Sequence, residues 1–460
     1  MNTGVVSGSQ VKRRRTPRPD GPRGPLPTIA LITGRRPAHE FFAQVARDYP
    51  RIARLRLGGE SVYLLSDPTL INEVMLDQAR SLMKGRALQQ AKRFVGEGLL
   101  TSEGDFHLRQ RRLVQPAFHR DRLARYADDM VAVTKDHEST WTDGQQVDLA
   151  ADMSELTLSI VGRTLFGSDL SADARDIGQA VTTLFDGLQS SLLLGQDVLL
   201  RLPLKRNRRI QASIEELDAV VARVIRTHRD QEDQGDLLSM LIASEVDGTT
   251  MDDKQVRDEV MTLLLAGHET TAMTLTWTWY LLDQNPTAAA ALHDELARAL
   301  SSRAPTISDI AALPYTRGVI HESVRLFPPA WIIGRRALAD VRAGEWIIPA
   351  GALIVASPWV AHRHPDYWSS PLAYRPQRWL DENGNFDESA PGQPRGAWFP
   401  FGWGNRRCIG DQFALIEAVL VVASLAQRWT PRPEPGRPVL PAPLVTMRPR
   451  GGLPATLVAR

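Results

Sequence analysis

The chain has 460 residues, 43% of them apolar and 23% charged, which is the composition of a globular protein long enough to bury a large core. Its 55 basic side chains nearly balance 53 acidic ones, and a net charge of +2 excludes the strong electrostatic pull of a nucleic-acid or anionic-membrane binder. The one cysteine, Cys408, excludes an internal disulfide, a CxxC redox pair and a zinc site built from several thiolates. Residues 1–27 are polar, basic and rich in Pro and Gly. They lack the apolar core of a signal peptide and read as a flexible lead before one folded unit, 28–460. Residues 54–65, RLRLGGESVYLL, alternate apolar and polar around Gly58-Gly59 and predict a hairpin. Helical periodicity dominates 68–228, and 229–235 is a charged connector. Residues 252–284 predict one long helix, stopped by Asn285-Pro286. Short strands are expected over 342–356, a loop over 381–400 and a second apolar helix over 411–428. The tail from Pro431 is Pro-rich and irregular, then strand-like. The expected fold class is mainly α with a minor β-sheet region, without internal repeats. No stretch reaches the roughly 20 apolar residues that cross a bilayer, and a cytoplasmic location is expected.

Cys408 sits in Phe399-Pro-Phe-Gly-Trp-Gly-Asn-Arg-Arg-Cys-Ile-Gly410. Gly402, Gly404 and Gly410 let backbone approach a bound object closely. The apolar helix begins just after, so the thiol is expected to feel the positive helix end, and Arg406 and Arg407 add charge. Each effect favours thiolate. A thiolate so placed serves as nucleophile or as metal ligand. An inert buried cysteine is the plainer reading, but it leaves the surrounding glycines and arginines unexplained.

The pattern Phe401-x-x-Gly404-x-x-x-Cys408-x-Gly410 resembles the haem-binding signature of the cytochrome P-450 family. Three further segments match in the family's order. Ala266-Gly-His-Glu-Thr-Thr271, within the long helix, resembles the oxygen-activation segment, in which an acid precedes a threonine. A mid-helix Thr270 turns its hydroxyl to the carbonyl of Ala266, and Gly267 weakens the helix beside it. Together these open a groove for dioxygen, with Glu269 and Thr270 placed to deliver protons. Taken alone, the segment also reads as a threonine-rich core helix. Glu322-Ser-Val-Arg325 resembles the family's ExxR pair, which a later arginine, Arg378, joins as a structural triad; Trp379 stands where the family often has Phe. Gly104-Asp-Phe-His-Leu-Arg-Gln-Arg111 places His107 and Arg111 four apart on one face. In bacterial members such a pair binds the haem propionates, and the resemblance adds Arg335 and Arg406 to that set.

The resemblance covers nearly the whole chain from about Pro25 and makes 28–460 one catalytic domain. It implies haem b between the long helix and the Cys-loop helix, with Cys408 as axial iron ligand and Phe401, Gly402, Ala266 and Gly410 against the ring. It implies a monooxygenase that takes dioxygen and two electrons from an external ferredoxin and reductase, acting as a monomer with no nucleic-acid partner. Thiolate ligation favours O–O cleavage. The segments 82–100, 185–202, 263–266, 330–333 and 451–453 are expected to line a pocket for an apolar small molecule such as a terpenoid, fatty acid or polyketide, with 185–204 as a lid. Arg109, Arg112 and Arg407 read either as a docking face for an acidic electron donor or as a solvated face. His362-Arg-His364 reads as ordinary loop. Three other readings stand beside this one: a haem-thiolate enzyme doing coupling, desaturation or peroxygenation, a haem ligand-binding or sensor protein, and a cysteine hydrolase, for which no base is evident.

Overall fold

The computed structural model describes residues 18–22, 36–57, 59–191, 204–230, 236–243, 245–246 and 249–460. α1 (Ala38–Asp48) buries Phe41, Phe42 and Val45 in the sheet-side core. β1 (Ile52–Leu57) and β2 (Glu60–Leu65) form the expected hairpin, antiparallel from Ile52↔Leu65 to Leu57↔Glu60. Residues 18–22, inside the stretch read as a flexible lead, run beside β1. Pro19 is buried, and the Asp20 carbonyl accepts from the Arg54 amide at 2.9 Å.

β3 (Leu82–Lys84) leads into α2 (Arg86–Val95) and α3 (Gly104–Val114). α4 (Arg120–Glu138), β4 (Gln146–Asp148), α5 (Leu149–Phe166), α6 (Ala174–Ser191), α7 (Lys205–Arg229) and α8 (Leu237–Ala243) follow. Most of the expected lid, 192–203, lies outside the described residues.

The central element is α9 (Asp253–Gln284). Asp252 caps it by accepting from the Gln255 amide at 2.7 Å, and Pro286 starts α10 (Pro286–Leu300), so the boundaries fall where the capping residues put them. From Val256 to Leu282 most side chains are buried, as a helix wrapped on all sides requires. Gly267 allows the close approach of α5: a Cβ there would stand 3.1 Å from a Val161 methyl.

After α11 (Pro314–Leu326), β5 (Ile333–Ala337) and β6 (Leu353–Ala356) complete a five-stranded sheet of order β1-β2-β6-β5-β3. β6 is parallel to β2 and antiparallel to β5. α12 (Asp411–Leu425) is a core helix packed on α4 and α9. β7 (Pro441–Pro443) and β8 (Met447–Pro449) make a tail hairpin, and β9 (Pro454–Thr456) pairs with β4. The molecule is mainly helical with small sheets, as expected. One large helical core surrounds α9, and two smaller cores lie on the sheet side.

Candidate haem site

The Cys408 loop is shaped by its glycines. Gly402 and Gly404 take φ of +75° and +51°, which doubles the chain back so that the Cys408 amide donates to the Phe401 carbonyl at 2.8 Å. Gly410 has an ordinary φ of −97° and precedes α12, whose Phe413 packs edge-on against Phe118 and Tyr126. The expected thiolate bias is reversed for the metal-free thiol. Burial pushes Cys408 up to about 11, and Asp411 adds to the rise, against the opposing pull of the Gly410 amide, Arg111 and Arg407. The two neighbouring arginines are partly neutralised, Arg407 by Asp411 at 2.6 Å and Arg406 by Glu103. Cys408 nonetheless keeps an exposed face. A soft sulfur that is reachable, but gives up its proton only to a strong competitor, fits a metal ligand better than a free nucleophile.

His107 and Arg111 on α3, Arg335 on β5 and Arg406 in the loop form one cationic group. His107 Nε2 lies 3.3 Å from the Asn405 carbonyl and Nδ1 3.3 Å from the Ser102 hydroxyl. Arg111 donates to the Arg407 carbonyl at 2.7 Å, and Arg406 donates to the Ser102 carbonyl at 3.2 Å and to Glu103. Arg335 donates to the Gly334 carbonyl at 3.0 Å and makes no ion pair among the described residues. Lys84, one of only six lysines in the chain, belongs here too and is only 4% exposed. Its Nζ donates to the carbonyls of Leu99 at 2.8 Å and Ser102 at 2.7 Å. Burial and neighbouring cations push His107 down to about 3, Lys84 to about 7 and Arg335 to about 10. Five permanent or potential cations thus surround one carboxylate, Glu103. A ligand bearing two carboxylates is the complement of that charge, so the residues present fit haem.

On α9 the Thr270 hydroxyl donates to the Ala266 carbonyl at 2.8 Å, as the groove chemistry requires. Ala266 is exposed and Thr270 half-exposed, whereas most of their neighbours on this helix are buried, so these two define its open face. Glu269 departs from the expectation that it works at the groove. Successive helical residues point about 100° apart, and Glu269 faces the tail hairpin. It accepts from the Thr446 hydroxyl at 2.7 Å and from Arg448 Nε at 2.6 Å. Arg448 also donates to the Thr182 hydroxyl on α6 at 2.9 Å. The tail part that reaches α9 is therefore 446–448, from the hairpin tip into β8, with Val445 exposed beside it. The expected turn at 451–453 is instead tied to Asp148, which accepts from the Leu453 amide at 2.8 Å.

Glu322, Arg325 and Arg378 meet in the core. Arg325 donates from Nε and Nη2 to the two Glu322 oxygens at 2.8 Å each, and Arg378 Nε donates to Oε1 at 2.9 Å. Trp379, the departure from the family's Phe, donates its indole N–H to Oε2 at 3.0 Å. His362 accepts from the Phe399 amide at 3.1 Å and holds the loop; no group of metal-binding side chains exists among the described residues. Lys84, Glu103, Thr446 and Arg448 were invisible to motif reading because their partners lie far away in sequence.

The family model for cytochrome P450 matches residues 19–453. The chain is similar to cyclooctatin synthase of Streptomyces melanosporofaciens, with 38% identity over 92% of each chain. It is similar to cyclooctat-9-en-7-ol 5-monooxygenase of the same organism at 35%, over 90% of this chain and 89% of the relative. Pentalenene oxygenase of Streptomyces avermitilis is 33% identical over 90% of this chain and 91% of its own. No helix among the described residues is long and apolar enough to cross a membrane. With the cationic cradle, the Cys408 loop and the open face of α9 in place, the chain belongs to the cytochrome P450 family and is a haem-thiolate monooxygenase that oxidises apolar small molecules with dioxygen and electrons from redox partners.

Proposed function

We propose that this chain oxidises a cyclic terpenoid, adding oxygen to its hydrocarbon skeleton. The observation that carries the reading is the open Ala266–Thr270 face of an otherwise buried helix, flanked by apolar side chains rather than charges. The oxygenase names of relatives at 35% and 33% identity support terpenoids among the apolar classes.

Cys408 Sγ would ligate the haem iron, and His107, Arg111, Arg335 and Arg406 would hold the two propionates. Phe401, Gly402 and Gly410 would let the Cys408 loop pack against the ring, and the small side chain of Ala266 would leave room for it at α9. When bound, haem supplies the oxidation chemistry. Thr270, its own proton donated to the Ala266 carbonyl, turns its oxygen to the pocket as an acceptor that would hold an incoming proton donor there. Glu269 joins the proton path only when its pair with Arg448 opens. Glu322, Arg325 and Arg378 are structural. An external ferredoxin and its reductase supply electrons, with Arg109 and Arg112 as the docking cations, since Arg407 is engaged by Asp411. The chain works as a monomer in the cytoplasm, as one catalytic domain over 28–460.

The test is a reduced carbon-monoxide difference spectrum, followed by spin-state titration with cyclic terpenoid hydrocarbons. A strongly red-shifted Soret band and a substrate-induced spin shift are expected. A folded protein that takes up no haem overturns the site assignment. A response to fatty acids but not to terpenoids overturns the substrate class.

A further inference from the structure

The loop 96–102 is gripped from two sides by buried charged groups. On one side, α9 presents Asp258 and Glu259. Asp258 accepts from the Glu97 amide at 2.8 Å, and Glu259 Oε2 accepts from the Leu99 amide at 2.9 Å. On the other side, Lys84 on β3 donates to the Leu99 carbonyl at 2.8 Å. The Leu99 residue is thus held by its N–H and its C=O between an acid from the central helix and an amine from the sheet. Both groups are buried, Glu259 completely. Burial pushes Glu259 up to about 7, with Asp258 adding to the rise and the Leu99 amide and Lys84 opposing it, and burial with the nearby cations Arg406 and Arg335 pushes Lys84 down to about 7 against the opposing pull of Glu103. Polar groups kept in such unfavourable surroundings need compensating contacts, and here Leu99 supplies one to each, with the Ser102 carbonyl a second for Lys84.

The loop's own sequence fits this seat. Gly98 lies against the Thr262 hydroxyl and the Asp258 carbonyl, where no Cβ fits, and Gly96 lies as close to the Asp258 carboxylate. Thr262 is one turn before Ala266 on the same helical face. The loop therefore docks next to the open face of α9, with Leu99 buried and Leu100 left 38% exposed.

We propose that Glu259 and Lys84 are positioning residues that clamp Leu99 from both sides and thereby fix Leu100 as an apolar wall against which a bulky ligand packs beside Ala266. The inference rests on the pocket assignment above and goes beyond it, because neither residue touches substrate. It is tested with haem-loaded protein, using hydrogen–deuterium exchange of 96–102 and Soret titrations with imidazole and 4-phenylimidazole. Glu259→Met and Lys84→Met should each speed exchange in 96–102 roughly tenfold, the loss expected for one buried hydrogen bond. Both should weaken 4-phenylimidazole several-fold, and Glu259→Met, which lies outside the cationic cradle, should leave the smaller imidazole unaffected. Because both residues hold Leu99, one through its N–H and the other through its C=O, the double variant should be no worse than the worse single variant. Glu259→Gln, which keeps an acceptor, should behave as the parent protein. Should the methionine variants fail to fold, Gly98→Ala loosens the same seat without altering either charged group and should give the same two changes. Unchanged exchange with unchanged 4-phenylimidazole binding, or additive effects in the double variant, overturns the clamp. A parent protein without haem would instead overturn the pocket assignment, while exchange still tests the clamp.

Discussion

Two clusters of arginines in this molecule, one buried around Glu322 and one partly buried around Glu103, are built on opposite principles. In the Glu322 cluster every charge is answered: the carboxylate accepts from Arg325, Arg378, Trp379 and the Arg375 amide, and Arg325 spends its remaining donors on the carbonyls of His362, Pro371 and Ala373. In the cradle around Arg335, Arg406 and Lys84, cations face cations and one carboxylate serves all of them. A saturated network is complete within the protein and holds its shape. An unsaturated one is complete only with a ligand of opposite charge. The same residue type is scaffold in one place and binding site in the other, and the hydrogen-bond accounting tells them apart.

The contrast is broken most severely at Glu322. Glu322→Ala leaves two buried guanidinium groups and an indole N–H without their acceptor, and is expected to cost about 3–5 kcal/mol, read as a lower urea midpoint or loss of soluble protein. In the cradle the sign reverses. Burial and Arg406 lower the Arg335 pKa from 12.5 to about 10, so the folded state disfavours its charge at every pH below that value. Arg335→Leu is therefore expected to raise the stability of the metal-free protein at pH 7 by on the order of 1 kcal/mol. That gain should shrink as pH rises through about 10, where the parent begins to shed the charge. The same variant should lose haem faster on challenge with an apo-globin acceptor. A stability loss at pH 7 in metal-free Arg335→Leu would mean that the cradle is scaffold after all.

How much of this was legible beforehand follows from the same distinction. The capped helix 253–284, the hairpin at 52–65 and the loop around Cys408 announce themselves because their causes are local: caps, alternation, and glycines near one cysteine. Glu322 with Arg325 is local too, at three residues. Charge balance is not. Whether Arg406 faces a ligand or Glu103 depends on a partner 303 positions away, and Glu269 is claimed by Thr446 and Arg448 at separations of 177 and 179. The raised pKa of the metal-free Cys408 thiol is not legible in the sequence for a related reason. Helix end and arginines are written beside it in the sequence, while the desolvation that outweighs them comes from packing.

Cys408 itself lies between the two extremes. It contributes no side-chain network to the fold, so Cys408→Ala should leave helical content unchanged by circular dichroism and shift stability by less than about 1 kcal/mol. The reduced carbon-monoxide complex of that variant should lack the red-shifted Soret band. Retention of the band would remove Cys408 as the iron ligand, and unfolding would show that the loop is more than a cradle.

The finest division falls within a single turn of α9. Glu269 is saturated by Thr446 and Arg448, whereas Thr270 has one bond, to the Ala266 carbonyl, on a face that is partly open. By the reasoning that separates the arginine clusters, Thr270 is the member with capacity left for a ligand, and Glu269 is the member that holds structure. Thr270→Ala should then change stability by no more than about 0.5 kcal/mol, because the lost hydroxyl is half-exposed and the Ala266 carbonyl keeps its place in the helix. Its effect should appear in the coupling ratio, with less product formed per electron consumed and more peroxide released, since a proton donor is no longer held at the pocket. Glu269→Gln keeps an acceptor for Thr446 but weakens the Arg448 pair. It should cost more stability than Thr270→Ala while perturbing coupling less. If coupling instead collapses in Glu269→Gln and survives in Thr270→Ala, the ion pair opens during turnover and the acid, not the alcohol, is the group that moves the proton.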